Sequence, residues 1–199
     1  DLDNDGDQDI LLGDYNGKIF VFIRNGIEPV ESSYQNIGEL NEIDLSGRSH
    51  PELVDIDSDG DLDLFIGENG GVIHFYENIG TEDVYDFSFV TDLYFEINVG
   101  YYSSPEFSDL DSDGDFDLFV GNQEGEINYF INTGSSTNAQ FQMDSSISFP
   151  YIGGNSNFSL GDFYGEGRLD LIAGLYTGGL YYLKGDSSSF DNSNLYSST

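Results

Sequence analysis

The segment DLDNDGDQDILLG at residues 1–13 returns as DIDSDGDLDLFIG at 55–67 and as DLDSDGDFDLFVG at 109–121. It returns again, more loosely, as DFYGEGRLDLIAG at 162–174. The copies begin at 1, 55, 109 and 162, so the intervals are 54, 54 and 53 residues. A second landmark keeps step, with Gly17, Gly71, Gly125 and Gly178 opening the next segment of each copy. A chain repeating at a fixed period builds one supersecondary unit several times and buries each against its neighbours. The expected units are approximately 1–46, 47–100, 101–153 and 154–199.

Inside one unit the pattern is all β. In the second copy, Pro51-Glu52-Leu53-Val54 leads into an Asp-rich loop and Leu62-Asp63-Leu64-Phe65-Ile66 leaves it. Asn69-Gly70-Gly71 is a tight-turn signal, as is Asn16-Gly17 in the first copy. Val72 to Tyr76 then reads as a third strand, and Asp86-Phe87-Ser88-Phe89-Val90 alternates as a more exposed outer one. The two middle strands are almost continuously apolar, as required of a sheet covered on both faces. No window places apolar residues at helical spacing. Four short antiparallel strands per unit of this length predict a β-propeller blade. The expected fold is therefore all-β, with four consecutive four-stranded blades belonging to a larger ring. Asp1 falls after the point where the innermost strand of the first blade should lie, so that strand is expected to be missing or supplied by other sequence of a longer polypeptide. The Ser- and Asn-rich tail from Ser187 to Thr199 is expected to be a last outer strand or a frayed linker.

Composition removes several function classes. With 38 acidic residues against 5 Lys and Arg, the formal charge is −33. Nucleic acids and anionic membrane surfaces are bound through cationic side chains, so neither is an expected partner. There is no Cys, hence no disulfide framework, thiolate metal site or Cys nucleophile. No apolar run approaches the roughly 18 residues needed to span a bilayer. The 16 Phe and 14 Tyr supply a bulky core and separate the chain from acidic disordered sequences.

The loops read D-x-D-x-D-G-x-x-D. Carboxylates at loop positions 1, 3, 5 and 9, with a Gly at 6 for a sharp turn, converge on one point. A hard cation with oxygen ligands makes such convergence favourable, and Ca²⁺ suits it better than Mg²⁺, which prefers to keep waters and octahedral order. Without a cation the carboxylates repel and raise one another's pKa. An EF-hand shares the first three positions but needs a Glu at position 12 and flanking helices. Here position 12 is Leu12, Ile66 or Val120, each within an apolar strand.

These loops, the apolar strand ending in Gly and the blade-length period resemble FG-GAP repeats, as in the integrin α-subunit propeller and the VCBS-type repeats. The resemblance covers essentially the whole chain as four tandem copies. It implies calcium held between the first and second strands of a blade, with ligands carried over position by position. These are Asp1, Asp3, Asp5 and Asp9; Asp55, Asp57, Asp59 and Asp63; and Asp109, Asp111, Asp113 and Asp117. The resemblance adds the backbone carbonyl at position 7, supplied by Asp7, Asp61 and Asp115. The fourth copy keeps Asp162, Glu166 and Asp170 but has Tyr164 at position 3, so its calcium site is expected to be weak or empty. Three Ca²⁺ ions, with a degenerate fourth site, are the expected cofactors.

No catalytic constellation stands out. His50 and His74 have no counterparts in the other copies and read as structural residues. The resemblance leaves a carbohydrate-active propeller, either polysaccharide lyase or lectin, as the alternative. Cleavage of uronates calls for cations to neutralise a carboxylate, and only Lys18, Arg24, Arg48, Arg168 and Lys184 are available. Tyr101, Tyr102 and Tyr176 are the candidate sugar-stacking residues, with blade-to-blade packing as their plainer role. The expected function is a non-enzymatic calcium-binding module of a secreted or cell-surface protein, serving adhesion, ligand binding or scaffolding. A protein or glycan is the expected ligand.

Overall fold

The computed structural model describes residues 1–24, 26, 34–40, 43, 45, 47–81, 83–147, 149, 151–154, 157–174, 179–185 and 190–191. They form four antiparallel sheets taken up in chain order. The first contains β1 (Ile10–Gly13), β2 (Ile19–Arg24) and β3 (Tyr34–Glu39). The second contains β4 (Ser49–Val54), β5 (Asp63–Glu68), β6 (Ile73–Asn78) and β7 (Phe87–Thr91). The third contains β8 (Ser104–Ser108), β9 (Asp117–Gly121), β10 (Ile127–Asn132) and β11 (Phe141–Met143). The fourth contains β12 (Asn157–Gly161), β13 (Asp170–Gly174), β14 (Leu180–Gly185) and β15 (Phe190–Asp191). Each sheet is a simple meander, the topology of a propeller blade. The described helical structure is one 3₁₀ turn at Tyr94–Glu96. Of the tail at 187–199, the described part is the strand at 190–191, and Gly178 lies outside the described residues.

The repeat in sequence is a repeat in register. Leu53 faces Leu64, Phe107 faces Leu118 and Leu160 faces Leu171 across the first strand pair of the last three blades. Apolar residues on both faces of a middle strand then serve two different neighbours. Leu64 and Ile66 pack with Ile19 and Leu45 of the first blade. Phe65, between them in sequence, packs the other way with Phe107 and Leu118 of the third blade. Its ring lies 4.6 Å from Phe75, 4.6 Å from Phe107 and 4.9 Å from Tyr94, centroid to centroid. Aromatic pairs of this kind add about 0.5–1.5 kcal/mol each beyond area burial. The same alternation places Phe119 with Phe158, Leu171 and Leu183 of the fourth blade. At the inner edge β8 packs against β4 on one side and β12 on the other.

The first blade differs. Its sheet has three described strands, with β1 at the edge. Ile10 and Leu12 are 43% and 53% exposed, whereas their counterparts Leu64 and Ile66 are fully buried. Leu64 and Ile66 are covered by Ile19 and Leu45 of the first blade, and among the described residues no core cluster takes in Ile10 or Leu12.

Successive blades are latched at the end of the sheets opposite the Asp-rich loops. Ser49 Oγ accepts from the Asp14 N–H (3.1 Å) and donates to the Lys18 carbonyl (2.8 Å). One repeat later, Ser103 Oγ accepts from the Glu68 N–H (2.9 Å) and donates to the Val72 carbonyl (2.6 Å). The turns Gly17, Gly71 and Gly125 have φ of +86°, +85° and +85°. A Cβ on any of them would also lie within 2.4 Å of a carbonyl oxygen of the segment that leads into the following blade (Leu45, Gly100 or Gly153). Both constraints require glycine there.

Candidate metal centre

The second, third and fourth Asp-rich loops join an inner strand to the next and the first leads into β1; each backbone is folded by its own carboxylates. The position 1 side chain accepts from the N–H groups of positions 5 and 6. The distances are 3.2 and 3.0 Å for Asp1, 3.1 and 3.2 Å for Asp55, and 3.2 and 3.1 Å for Asp109. Position 5 in turn accepts from the N–H of position 7, at 2.9 Å for Asp5, 3.1 Å for Asp59 and 3.2 Å for Asp113. Positions 4 and 6 are left-handed throughout, with φ of 53° and 89° in the first loop, 59° and 101° in the second, and 62° and 97° in the third. Asn and Ser at position 4 and Gly at position 6 suit that curl.

The curl gathers carboxylate oxygens. Asp55, Asp57 and Asp59 each offer an oxygen within 4.8 Å of the others, and so do Asp109, Asp111 and Asp113. In the first loop the group is Asp1, Asp3 and Asp9, with Asp5 outside it. Each of these loops also holds one buried carboxylate oxygen with no hydrogen-bond partner: Oδ1 of Asp3, of Asp61 and of Asp115. Asp115 is only 9% exposed as a residue. Burial, followed by repulsion from Asp5 and Asp9, pushes the Asp3 carboxyl up. Burial and the carboxylates of their own loops push Asp61 and Asp115 up as well. Three converging oxygens, an orphaned buried oxygen and an all-oxygen donor set fit a hard divalent cation. The residues that would hold it are those at positions 1, 3 and 5 in the second and third loops and at positions 1, 3 and 9 in the first.

Position 9 has a further role that the motif spacing did not reveal. Its Oδ1 accepts from a backbone N–H fifteen residues later, at the end of the third strand. Asp9 takes that of Arg24 (2.8 Å), Asp63 that of Asn78 (2.8 Å), Asp117 that of Asn132 (2.8 Å) and Asp170 that of Gly185 (3.1 Å). Oδ2 of Asp117 also accepts from Tyr129 Oη (2.8 Å) and the Leu110 N–H (3.3 Å), and Oδ2 of Asp9 accepts from the Leu2 N–H (2.6 Å). Burial raises Asp63 to about 7 and Asp117 to about 6, the backbone hydrogen bonds opposing the shift. In the second and third loops this residue therefore pins the loop to its sheet from outside the group of three. Position 7 differs between loops. The Asp7 carboxylate lies 3.3 Å from the Arg24 guanidinium, while Asp61 and Asp115 carry the orphaned oxygens.

The fourth loop repeats the frame without the gathering. Asp162 accepts from the N–H groups of Glu166 (2.9 Å) and Gly167 (2.7 Å), and Gly165 and Gly167 have φ of 68° and 73°. Among the described residues, no group of three acids forms there. Glu166 instead pairs with Arg168 and, at 2.7 Å, with Lys184. Those contacts hold Glu166 below the usual carboxylate range, and backbone N–H groups do the same for Asp162.

A family model for the FG-GAP-like repeat matches residues 1–66, 55–120 and 109–173. The chain belongs to the FG-GAP-like repeat family. The four meander sheets are the blades of this FG-GAP-like β-propeller module, and each match runs from one Asp-rich loop through the next. No curated protein matches the sequence. A solved lectin structure from Agrocybe aegerita, described as recognising non-reducing terminal N-acetylglucosamine, aligns at 16% identity with a TM-score of 0.47. The alignment covers 96% of this chain and 53% of the lectin, so the chain spans about half of that protein's length.

The two histidines of the FG-GAP-like chain sit on blade strands. His50 lies on β4 opposite Gly67, and burial followed by the charge of Arg48 lowers its pKa. His74 lies on β6 opposite Ile66, where burial outweighs the pull of Glu68 and Asp92 and lowers it too. Tyr102 is half-buried beneath the Arg48 guanidinium, 4.2 Å from its ring centroid. The Tyr101 side chain is exposed, and its carbonyl accepts from the Gln123 N–H at 2.7 Å. Tyr176 lies outside the described residues.

Proposed function

We propose that this chain is a calcium-binding β-propeller module of a secreted or cell-surface protein, serving adhesion, ligand binding or scaffolding rather than catalysis. The observation that carries the reading is a buried, partnerless carboxylate oxygen in each of the first three loops, at Asp3 within its group of three gathered carboxylates and at Asp61 and Asp115 in loops that gather three others. A loop so arranged is self-repelling alone and is satisfied by a divalent cation. Calcium modules working outside cells bind at roughly 10⁻⁴ to 10⁻³ M, which suits millimolar external calcium. The unassigned ligand is a protein or glycan held by the blade ends. Calcium titrated into chelator-treated chain tests the metal assignment. Saturable heat with about three ions bound, and a raised melting temperature, are expected; no heat and an unmoved melting temperature would refute it.

A further inference from the structure

The fourth loop has kept the frame of the other three and changed its charge. Positions 1, 3, 5, 7 and 9 are all Asp in each of the first three loops. In the fourth, positions 3 and 7 are Tyr164 and Arg168. Arg168 thus stands where Asp61 and Asp115 hold orphaned oxygens. Lys184 comes from β14, one residue before Gly185, whose N–H bonds Asp170. The matching residues before Arg24, Asn78 and Asn132 are Ile23, Glu77 and Ile131, so no other described blade supplies a lysine there. Lys184 Nζ lies 2.7 Å from Glu166 Oε2 and 5.8 Å from the centroid of the Tyr164 ring. Tyr164 in turn packs edge-on against Tyr182, with centroids 5.8 Å apart. A side-chain cation from within the loop and another from the third strand therefore meet the position 5 carboxylate, and an aromatic pair fills the side of position 3.

We propose that the fourth loop is a metal-independent counterpart of the first three, closed by Arg168 and Lys184 as built-in counter-ions, so that this blade keeps its loop when calcium is withdrawn. The inference rests on the calcium reading only for the contrast with the other loops. Its ion pairs are partly exposed and screened, so their role is to remove the need for a metal rather than to add much stability. Loss of either cation leaves Glu166 beside Asp162 and Asp170 with less compensation, in a loop that lacks the position 3 carboxylate a metal would use.

Hydrogen exchange of the full chain, read on peptides covering 55–63, 109–117 and 162–170, tests this in calcium and in chelator. Relative to 10 mM calcium, chelation is expected to speed exchange in the first two segments at least tenfold and to change the third less than twofold. Arg168→Gln and Lys184→Met, made singly, are expected to speed exchange at 162–170 in both buffers without altering 55–63. Calcium protection of 162–170 in the unaltered chain, or indifference of that segment to both substitutions, would overturn the proposal. If 55–63 and 109–117 ignore calcium while 162–170 responds to Arg168→Gln, the calcium reading fails and the built-in counter-ions stand.

Discussion

The second and third loops and the fourth loop fold the same backbone curl under opposite electrostatics. In all three a position 1 carboxylate accepts two N–H groups and a position 9 carboxylate reaches the third strand. In the second and third, carboxyls are pushed up by burial and mutual repulsion; in the fourth, Asp162 and Glu166 are held down by donors. The difference separates two jobs that one motif does together in the second and third loops. Positions 1, 4, 6 and 9 set the shape, and positions 3, 5 and 7 set the demand for a cation. A blade can drop the second job and keep the first.

The largest expected effect tests the shape-setting residues. Asp117→Ala removes the acceptor of Tyr129 Oη and of the Asn132 and Leu110 N–H groups. Each buried group left unpaired costs about 1–3 kcal/mol. Denaturant unfolding should therefore show a loss of several kcal/mol in calcium and in chelator alike. A loss confined to calcium buffer would make position 9 a ligand first and a strut second.

Chelation comes next. A site with a dissociation constant of 10⁻⁴ to 10⁻³ M contributes about 0.4 to 1.4 kcal/mol at 1 mM calcium by mass action. Three such sites together contribute about 1 to 4 kcal/mol, and each kcal/mol moves the melting temperature of a chain this size by about 2–4 °C. Within that difference, Asp57→Ala and Asp111→Ala should each remove one site's share in calcium and much less in chelator. Asp162→Ala should cost the same in both buffers, because what it removes is the pair of N–H bonds.

The last expected effect is on pH dependence. Asp63 and Asp117 have folded pKa values of about 7 and 6 against an ordinary 3.8. A raised carboxyl pKa means the folded state binds more protons than the unfolded state between those values, so stability falls as pH rises through that window. In chelator, the melting temperature should rise as pH is lowered from 8 to 5. In calcium the trend should flatten or reverse, since protons displace the ion. Asp162 and Glu166 have lowered values, so the fourth loop's contribution is present above the ordinary carboxyl range and fades only as pH falls below it. Exchange at 162–170 should be indifferent to pH between 5 and 8 after correction for the intrinsic exchange rate.

Much of the fold was legible because a blade's middle strands are buried on both faces, and Leu64-Phe65-Ile66 and Leu118-Phe119-Val120 show this as unbroken apolar runs. The loop curl was legible because its Asp and Gly residues are local, all within nine positions. What stayed hidden depends on residues far apart in sequence. The partner of Asp63 is a backbone N–H fifteen residues on, which has no sequence signature. The latches through Ser49 and Ser103 join different blades. In the fourth loop, Tyr164 was a visible departure and Arg168 a readable one, but Lys184 reaches Glu166 only because β14 lies beside the loop. Spacing also could not show that Asp9 joins the gathered carboxylates while Asp5 stands outside them.

The most direct measurement is the number of calcium ions bound per chain, by native mass spectrometry or equilibrium dialysis, for the unaltered chain and for Asp57→Ala and Asp162→Ala. The expected counts are three, two and three. A count of four in the unaltered chain, a count that falls with Asp162→Ala, or no bound calcium at all would contradict a division into three metal-demanding loops and one that supplies its own cations.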